Sequence, residues 1–200
     1  AAPFFKGKVM DVCAAPGGKS LMIAALEKVD SLCLNDVSRQ RIKRIQENIK
    51  RTGISPSAIL QSDGEKLPFD KHHFDTVLID APCSSTGTIQ KNPDIKWTAS
   101  EETLLKHLEL QRQLLDEGAR ILKPGGTLIY STCSLEEEEN QNQVESFLAR
   151  HTGFFMKKRP SDSAFFELDD WANEDHSFFQ ILTGPKWGGF FGAAISCDHT

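Results

Sequence analysis

Two hundred residues, 39% hydrophobic and 26% charged, suit one soluble domain with one sizeable core. No apolar run approaches the length of a membrane span, and no basic-then-apolar leader opens the chain, so neither membrane insertion nor secretion is expected. A formal net charge of -5 argues against a chain-wide phosphate-binding surface and leaves a local basic patch, or a basic partner domain outside this chain, as the routes to nucleic acid.

Lys8 to Cys13 reads as a short buried strand that runs into a Gly/Pro turn, Ala14 to Gly18, followed by a helix through Ala24, Ala25 and Leu26. Ser31 to Asn35 is a second strand. Residues 38–51 form a basic amphipathic helix with Ile42, Ile45 and Ile49 on one side. A third strand is expected near 57–61, and Phe74 to Ile79 is a central strand ending at Asp80. Residues 83–100 read as a long loop. Thr98 and Glu101 suit a capping box for a helix with Leu104, Leu108, Leu115 and Ala119 on its inward stripe. Pro124-Gly125-Gly126 is a turn before the strand Thr127 to Thr132. Residues 138–150 look helical, and Phe154 to Lys158, Phe178 to Leu182 and Phe190 to Ser196 are strand candidates.

Strands alternating with helices imply an α/β fold, a parallel sheet covered on both faces, with ligands beyond the carboxyl ends of the strands. Asp11–Cys13, Asp36, Asp80–Cys83 and Thr132–Cys133 all fall at such ends. The run Asp11-Val12-Cys13-Ala14-Ala15-Pro16-Gly17-Gly18-Lys19-Ser20 brings small residues to a helix start, where backbone amides approach an anionic or carboxylate-bearing ligand. It lacks the first glycine of a phosphate-binding loop, and Pro16 removes a donor. Asp36 suits ribose hydroxyls or the N-cap of the next helix. Asp63 suits an adenine amino group or an Asp-Gly turn. The acidic runs Glu136–Glu139 and Glu167, Asp169, Asp170, Glu174, Asp175 read first as solvated faces. So do the basic clusters Arg39, Arg41, Lys43, Arg44 and Lys157, Lys158, Arg159.

Five cysteines without close, regular spacing do not form a disulfide scaffold, and a reducing compartment is expected. Cys13, Cys33 and Cys197 read as small hydrophobes or surface residues. Cys83 and Cys133 stand at polar strand exits. No metal site is expected, because no Cys-x-x-Cys pair or ligand-spaced His occurs, and no histidine has an obvious place beside these two thiols. One reaction class pairs a nucleophilic cysteine with a methyl donor. Addition of a thiolate to carbon 6 of cytosine makes carbon 5 nucleophilic, a base then removes the carbon-5 proton, and elimination frees the sulfur. A carboxylic acid near ring nitrogen 3 stabilises the developing charge, and Asp80 is the candidate. Which cysteine adds and which assists release stays open on the residues alone.

The segments Asp11–Ser20, Asp80–Gly87, Asn92–Trp97, Tyr130–Ser134 and Gly189-Phe190-Phe191 carry a resemblance covering roughly residues 8–197. The chain resembles the RNA 5-methylcytosine methyltransferase family that includes the bacterial 16S rRNA enzyme and the eukaryotic Nop2/Sun proteins. The resemblance implies a Rossmann-like class I S-adenosylmethionine-dependent methyltransferase fold with a mostly parallel seven-stranded sheet. It implies Cys133 as covalent nucleophile, Cys83 in product release, and Lys19 and Asp80 beside the base. The cofactor would meet Cys13, Ala14, Ala15, Pro16, Gly17, Gly18, Lys19, Asp36, Arg41, Asp63 and Asp80. The implied partner is structured RNA, not DNA, presenting an unpaired or flipped cytosine. Asn92–Trp97 tilts the reading to ribosomal over transfer RNA, with Lys91 and Lys96 toward phosphates and Trp97 as a stacking or a core residue. A tRNA enzyme, or a non-catalytic pre-rRNA assembly factor of the same fold, are the alternatives. Residues 1–200 would form the catalytic domain, with the family's N-terminal extension and any RNA-binding domain outside this chain. Location would be cytoplasmic in a bacterium or archaeon, and nuclear, nucleolar or mitochondrial in a eukaryote. Lys186-Trp187-Gly188 stands where the family often has an Asp before Gly-Phe-Phe.

Overall fold

A computed structural model describes residues 4–26, 28–158, 178–181 and 188–198. The short apolar runs become strands β1 (Gly7–Asp11), β2 (Val29–Asn35), β3 (Ala58–Leu60), β4 (Phe74–Asp80), β5 (Leu122–Thr132), β6 (Phe154–Met156), β7 (Phe178–Ile181) and β8 (Phe190–Cys197). Helices α1 (Gly18–Ala24), α2 (Arg39–Thr52), α3 (Ile95–Thr98), α4 (Glu101–Ile121) and α5 (Gln141–Arg150) lie between them. The strands form one sheet in the order β3-β2-β1-β4-β5-β8-β6, with β7 also on β8. The β1 to β5 pairings are parallel, and β8 is antiparallel to β5, β6 and β7. β6 faces Ile195–Cys197 and β7 faces Phe190–Ala193, so two short strands share the seventh position of an otherwise seven-stranded arrangement.

Side chains alternate between two cores, as the pleat requires. Val77, Ile79, Leu128 and Tyr130 point to one face, where Leu114, Leu115 and Ile121 of α4 and Val144 and Phe147 of α5 cover them. Val9, Leu34, Leu78 and Ile129 point to the other, under Ile23 of α1 and Ile42 and Ile45 of α2. Full burial of each such aliphatic or aromatic side chain contributes about 1.5–3 kcal/mol. The central strands are therefore covered on both faces, and chemistry is confined to their ends.

Several local expectations need correction. Pro124-Gly125-Gly126 is not a turn between α4 and a strand: α4 passes directly into β5, and these residues make an irregularity within it, with Gly125 at φ 71. Ser100 caps α4 by accepting from the Thr103 amide, whereas Thr98 closes the separate short helix α3. Ser38, not Asp36, caps α2. The run Glu136–Glu139 is no uniform solvated face, and the helix expected over 138–150 starts later: Glu137–Glu139 is a 3-10 turn, α5 begins at Gln141, and Glu139 is fully buried. The acidic residues 167–175, Arg159, Leu182, Lys186 and Trp187 lie outside the described residues.

Candidate active site

The exit of β1 is built first. The Val12 amide donates to Leu78 O at 2.9 Å and the Ala14 amide to Asn35 O at 2.8 Å, which ties the turn to both neighbouring strands. Gly17 sits at φ 99, a left-handed conformation that disfavours a side chain. At Gly18 an added Cβ would meet nothing within 4 Å, so this end of the turn opens outward. Asp11 is buried beneath it. The Ser20 hydroxyl donates to its Oδ2 at 2.5 Å, while Oδ1 has no partner. Burial pushes this carboxyl up to about 7. Cys13 is partly buried at the turn, and desolvation raises its thiol. Cys33 and Cys197 are raised by burial too, in keeping with inert packing residues.

Asn35 fastens three exits together. Its Nδ2 donates to Val12 O at 3.0 Å and to Ser62 O at 3.1 Å, and its Oδ1 accepts from the Ser62 amide and hydroxyl. Asp36 follows, buried to 1% exposure. Its Oδ1 accepts from the Ser38 amide at 2.9 Å and pairs with Arg41 at 3.1 Å, while its Oδ2 has only a long contact of 3.4 Å from the Ala15 amide. That oxygen retains acceptor capacity toward a vicinal diol, while the half-exposed Arg41 side chain pairs with the other oxygen. Asp63 is exposed and accepts from the Glu65 amide at 3.0 Å, in keeping with an Asp-Gly turn. Its carboxylate meets neither Asp36 nor Arg41 among the described residues. The loop, Asp36 and the open end at Gly18 thus fit a nucleoside-bearing ligand, with Asp63 at the periphery.

Adjacency of β4 and β5 brings the two cysteines together. Cys83 Sγ lies 3.4 Å from Cys133 Sγ, and Cys133 Sγ lies 3.3 Å from the Ser85 hydroxyl. Ser85 holds a left-handed backbone, φ 60, to reach it. Lys19 Nζ stands 2.5 Å from Asp80 Oδ2 and 5.3 Å from the Phe190 ring centroid, and the Ser131 hydroxyl donates to Asp80 Oδ1 at 2.9 Å. The pair titrates unequally. The Cys83 thiol donating to Cys133, with help from Ser85 and Lys19 against burial, lowers Cys133 to about 6. Cys83 is raised, first by that same hydrogen bond and then by burial. The shared hydrogen bond thus favours the thiolate form at Cys133 and the thiol form at Cys83.

A buried bracket that sequence reasoning missed holds this geometry. Glu139 accepts from the Ser84 amide at 2.9 and 3.1 Å, the Ser84 hydroxyl at 2.5 Å and Gln111 Nε2 at 3.1 Å. Gln111 also donates to Pro82 O at 2.9 Å, and the Tyr130 hydroxyl donates to Glu139 O at 2.7 Å. Through its carboxylate and its backbone carbonyl, Glu139 thus locks the Cys83 loop to α4 and β5. His107, for which the sequence offered no place near the thiols, has Nδ1 3.6 Å from this carboxylate. Thr132 donates to Asn140 Oδ1 at 2.5 Å, fixing the segment after Cys133. Gly87 completes the closure: its amide donates to Cys133 O at 3.0 Å, and a Cβ there would stand 2.7 Å from Cys133 O and from Gly189.

The sheet order and its helical layers are those of class I S-adenosylmethionine-dependent methyltransferases. The solved protein PH0851 superposes with TM-score 0.83 and 36% identity over 94% of this chain and 42% of its own. NSun6 from Pyrococcus horikoshii, crystallised with SFG, gives TM-score 0.79 and 28% identity over 94% of this chain and 47% of its own. A ribosomal RNA small subunit methyltransferase B of Salmonella arizonae is 40% identical over 192 residues, 94% of this chain and 41% of the relative. The chain spans about two fifths or less of the length of the curated relatives it matches. The family model described as 16S rRNA methyltransferase RsmB/F matches residues 2–195, and the chain belongs to that family.

Proposed function

We propose that this domain methylates carbon 5 of a cytosine in RNA, a ribosomal RNA above all, by way of a covalent bond between Cys133 and carbon 6. The observation that carries this reading is the 3.4 Å approach of two thiols of opposite titration behaviour beside the Lys19–Asp80 pair. S-adenosylmethionine, when bound, supplies an electrophilic methyl, and the turn from Cys13 to Lys19 with Asp36, Arg41, Asp63 and Asp80 would hold it. Cys133 thiolate adds to carbon 6, and the displaced ring electrons make carbon 5 nucleophilic. Asp80, oriented by Ser131 and Lys19, faces the ring edge on which charge develops.

Release follows from the same pair. Formation of the adduct removes the thiolate that holds the Cys83 proton, and Cys83 becomes a base once it has given that proton to solvent water. Cys83 then takes the carbon-5 proton. The carbon–hydrogen electrons restore the ring double bond, and the sulfur–carbon bond breaks with its pair leaving on Cys133. Structured RNA must present the cytosine unstacked, because both faces of the ring are needed. The test uses a 16S-derived RNA fragment and the cofactor. A protein–RNA adduct that survives denaturation should accumulate in Cys83→Ala and vanish in the Cys83→Ala/Cys133→Ala double variant, and bisulfite sequencing of wild-type product should locate 5-methylcytosine. Adduct accumulation in Cys133→Ala instead would reverse the roles.

A further inference from the structure

Trp97 has no structural duty in the core. It is 87% exposed, the most exposed of the large hydrophobic side chains among the described residues. Yet its backbone is held: its amide donates to Asp94 O at 3.0 Å, and the Ala99 amide closes α3 on Ile95 O at 2.9 Å. Consecutive turns connect this short helix to the thiol pair. The Ile95 amide donates to Asn92 O, the Lys91 and Asn92 amides to Thr88 O, and the Thr88 hydroxyl to Ser85 O at 2.9 Å, while Ser85 itself touches Cys133. Asn92 Nδ2 adds a side-chain tie to Thr88 Oγ1 at 3.2 Å. Such a scaffold ties the backbone that carries the ring to the loop of the cysteines. Lys91 and Lys96 flank it, both exposed and without an ion pair among the described residues, and Asp94 is the one acid of the segment 88–98. A polyanion whose units carry flat π faces matches this set, because aromatic stacking and phosphate attraction act on the same strand.

We propose that Trp97, with Lys91 and Lys96, is a stacking ledge for an unpaired RNA nucleotide flanking the cytosine attacked by Cys133. The ledge rests on the RNA reading given above and deepens it by naming where a neighbouring base is held. Trp97→Ala removes the π face from an exposed position, so the fold is retained. Binding of a fluorescein-labelled RNA hairpin with one loop cytosine should weaken by about 5- to 150-fold in Trp97→Ala, and by no more than about threefold in Trp97→Phe. The rise in KM should exceed any fall in kcat. Replacing the flanking nucleotide with an abasic one should weaken wild-type binding by a similar factor and leave Trp97→Ala indifferent. Wild-type affinity in Trp97→Ala, a loss insensitive to abasic substitution, or a change in self-association by sedimentation in place of RNA affinity would overturn the ledge. Loss of binding in Trp97→Ala while wild-type protein forms no 5-methylcytosine would sink the reaction and leave the ledge standing.

Discussion

Removing the Cys83 sulfur should move the titration of Cys133 upward, toward the ordinary thiol value of about 8.5. The largest cause of its depression to about 6 is the Cys83 hydrogen bond, and burial acts in the opposite direction. With Cys83→Ala, burial gains the upper hand over Ser85 and Lys19. The thiolate fraction at pH 7 then falls from about 90% to about 3%, roughly thirty-fold. A single-pH alkylation rate would hide much of this, because a more basic thiolate is intrinsically more nucleophilic and recovers about tenfold. The midpoint of the pH profile is the clean reading. Cys133 alkylation by iodoacetamide, followed by mass spectrometry from pH 4.5 to 10, should give a midpoint near 6 in wild type and near or above 8 in Cys83→Ala. Cys83→Ser, whose hydroxyl still donates, should stay low. Activity at saturating RNA should fall as pH drops through about 6, where the thiolate is protonated. A Cys83→Ala midpoint within half a unit of wild type would refute the assignment of the shift to this hydrogen bond.

Three further outcomes follow from the same structure. Asp11 binds its proton more tightly folded than unfolded, so its stabilising contribution is complete below about pH 4 and is lost as pH rises through about 7. Asp11→Asn should abolish a fall in thermal stability between those values worth on the order of 4 kcal/mol at most, and an unchanged pH–Tm slope would count against the buried assignment. Glu139→Gln leaves one acceptor oxygen facing the Ser84 amide, the Ser84 hydroxyl and Gln111, and should cost about 1.5–3 kcal/mol in urea unfolding while slowing Cys133 alkylation at pH 7. Gly87→Ala drives a methyl against backbone atoms of Cys133 and Gly189, and should lower Tm by roughly 3–10 °C, from about 1–3 kcal/mol of overpacking.

The sheet was legible because its strands are buried on both faces and stand out as continuous apolar runs between helical repeats. Phe74 to Ile79 and Thr127 to Thr132 reveal themselves in this way. The exits were legible because Asp11, Asp36, Asp80 and Cys133 interrupt such runs with residues that burial alone would not choose. Parallel pairing of β4 with β5 then places the loops of Cys83 and Cys133 side by side at one end of the sheet. Boundaries failed where two signals compete. Pro124-Gly125-Gly126 is turn chemistry in sequence, but pairing of Leu122 with Phe74 draws the residues before it into the sheet and leaves the glycines to absorb the irregularity.

Glu139 was illegible for a different reason. Four adjacent glutamates are equivalent in composition, and the helical and strand periods say nothing within a 3-10 turn. What singles out the fourth is its contact with Tyr130, whose hydroxyl donates to Glu139 O. Once inside, the group must find donors or cost several kcal/mol, and Ser84 and Gln111 from separate elements supply them. That demand couples the loop of one cysteine to the strand of the other. Burial of a charge, costly by itself, here makes the separation of the two sulfurs a property of the folded core and removes it from the freedom of two exposed loops.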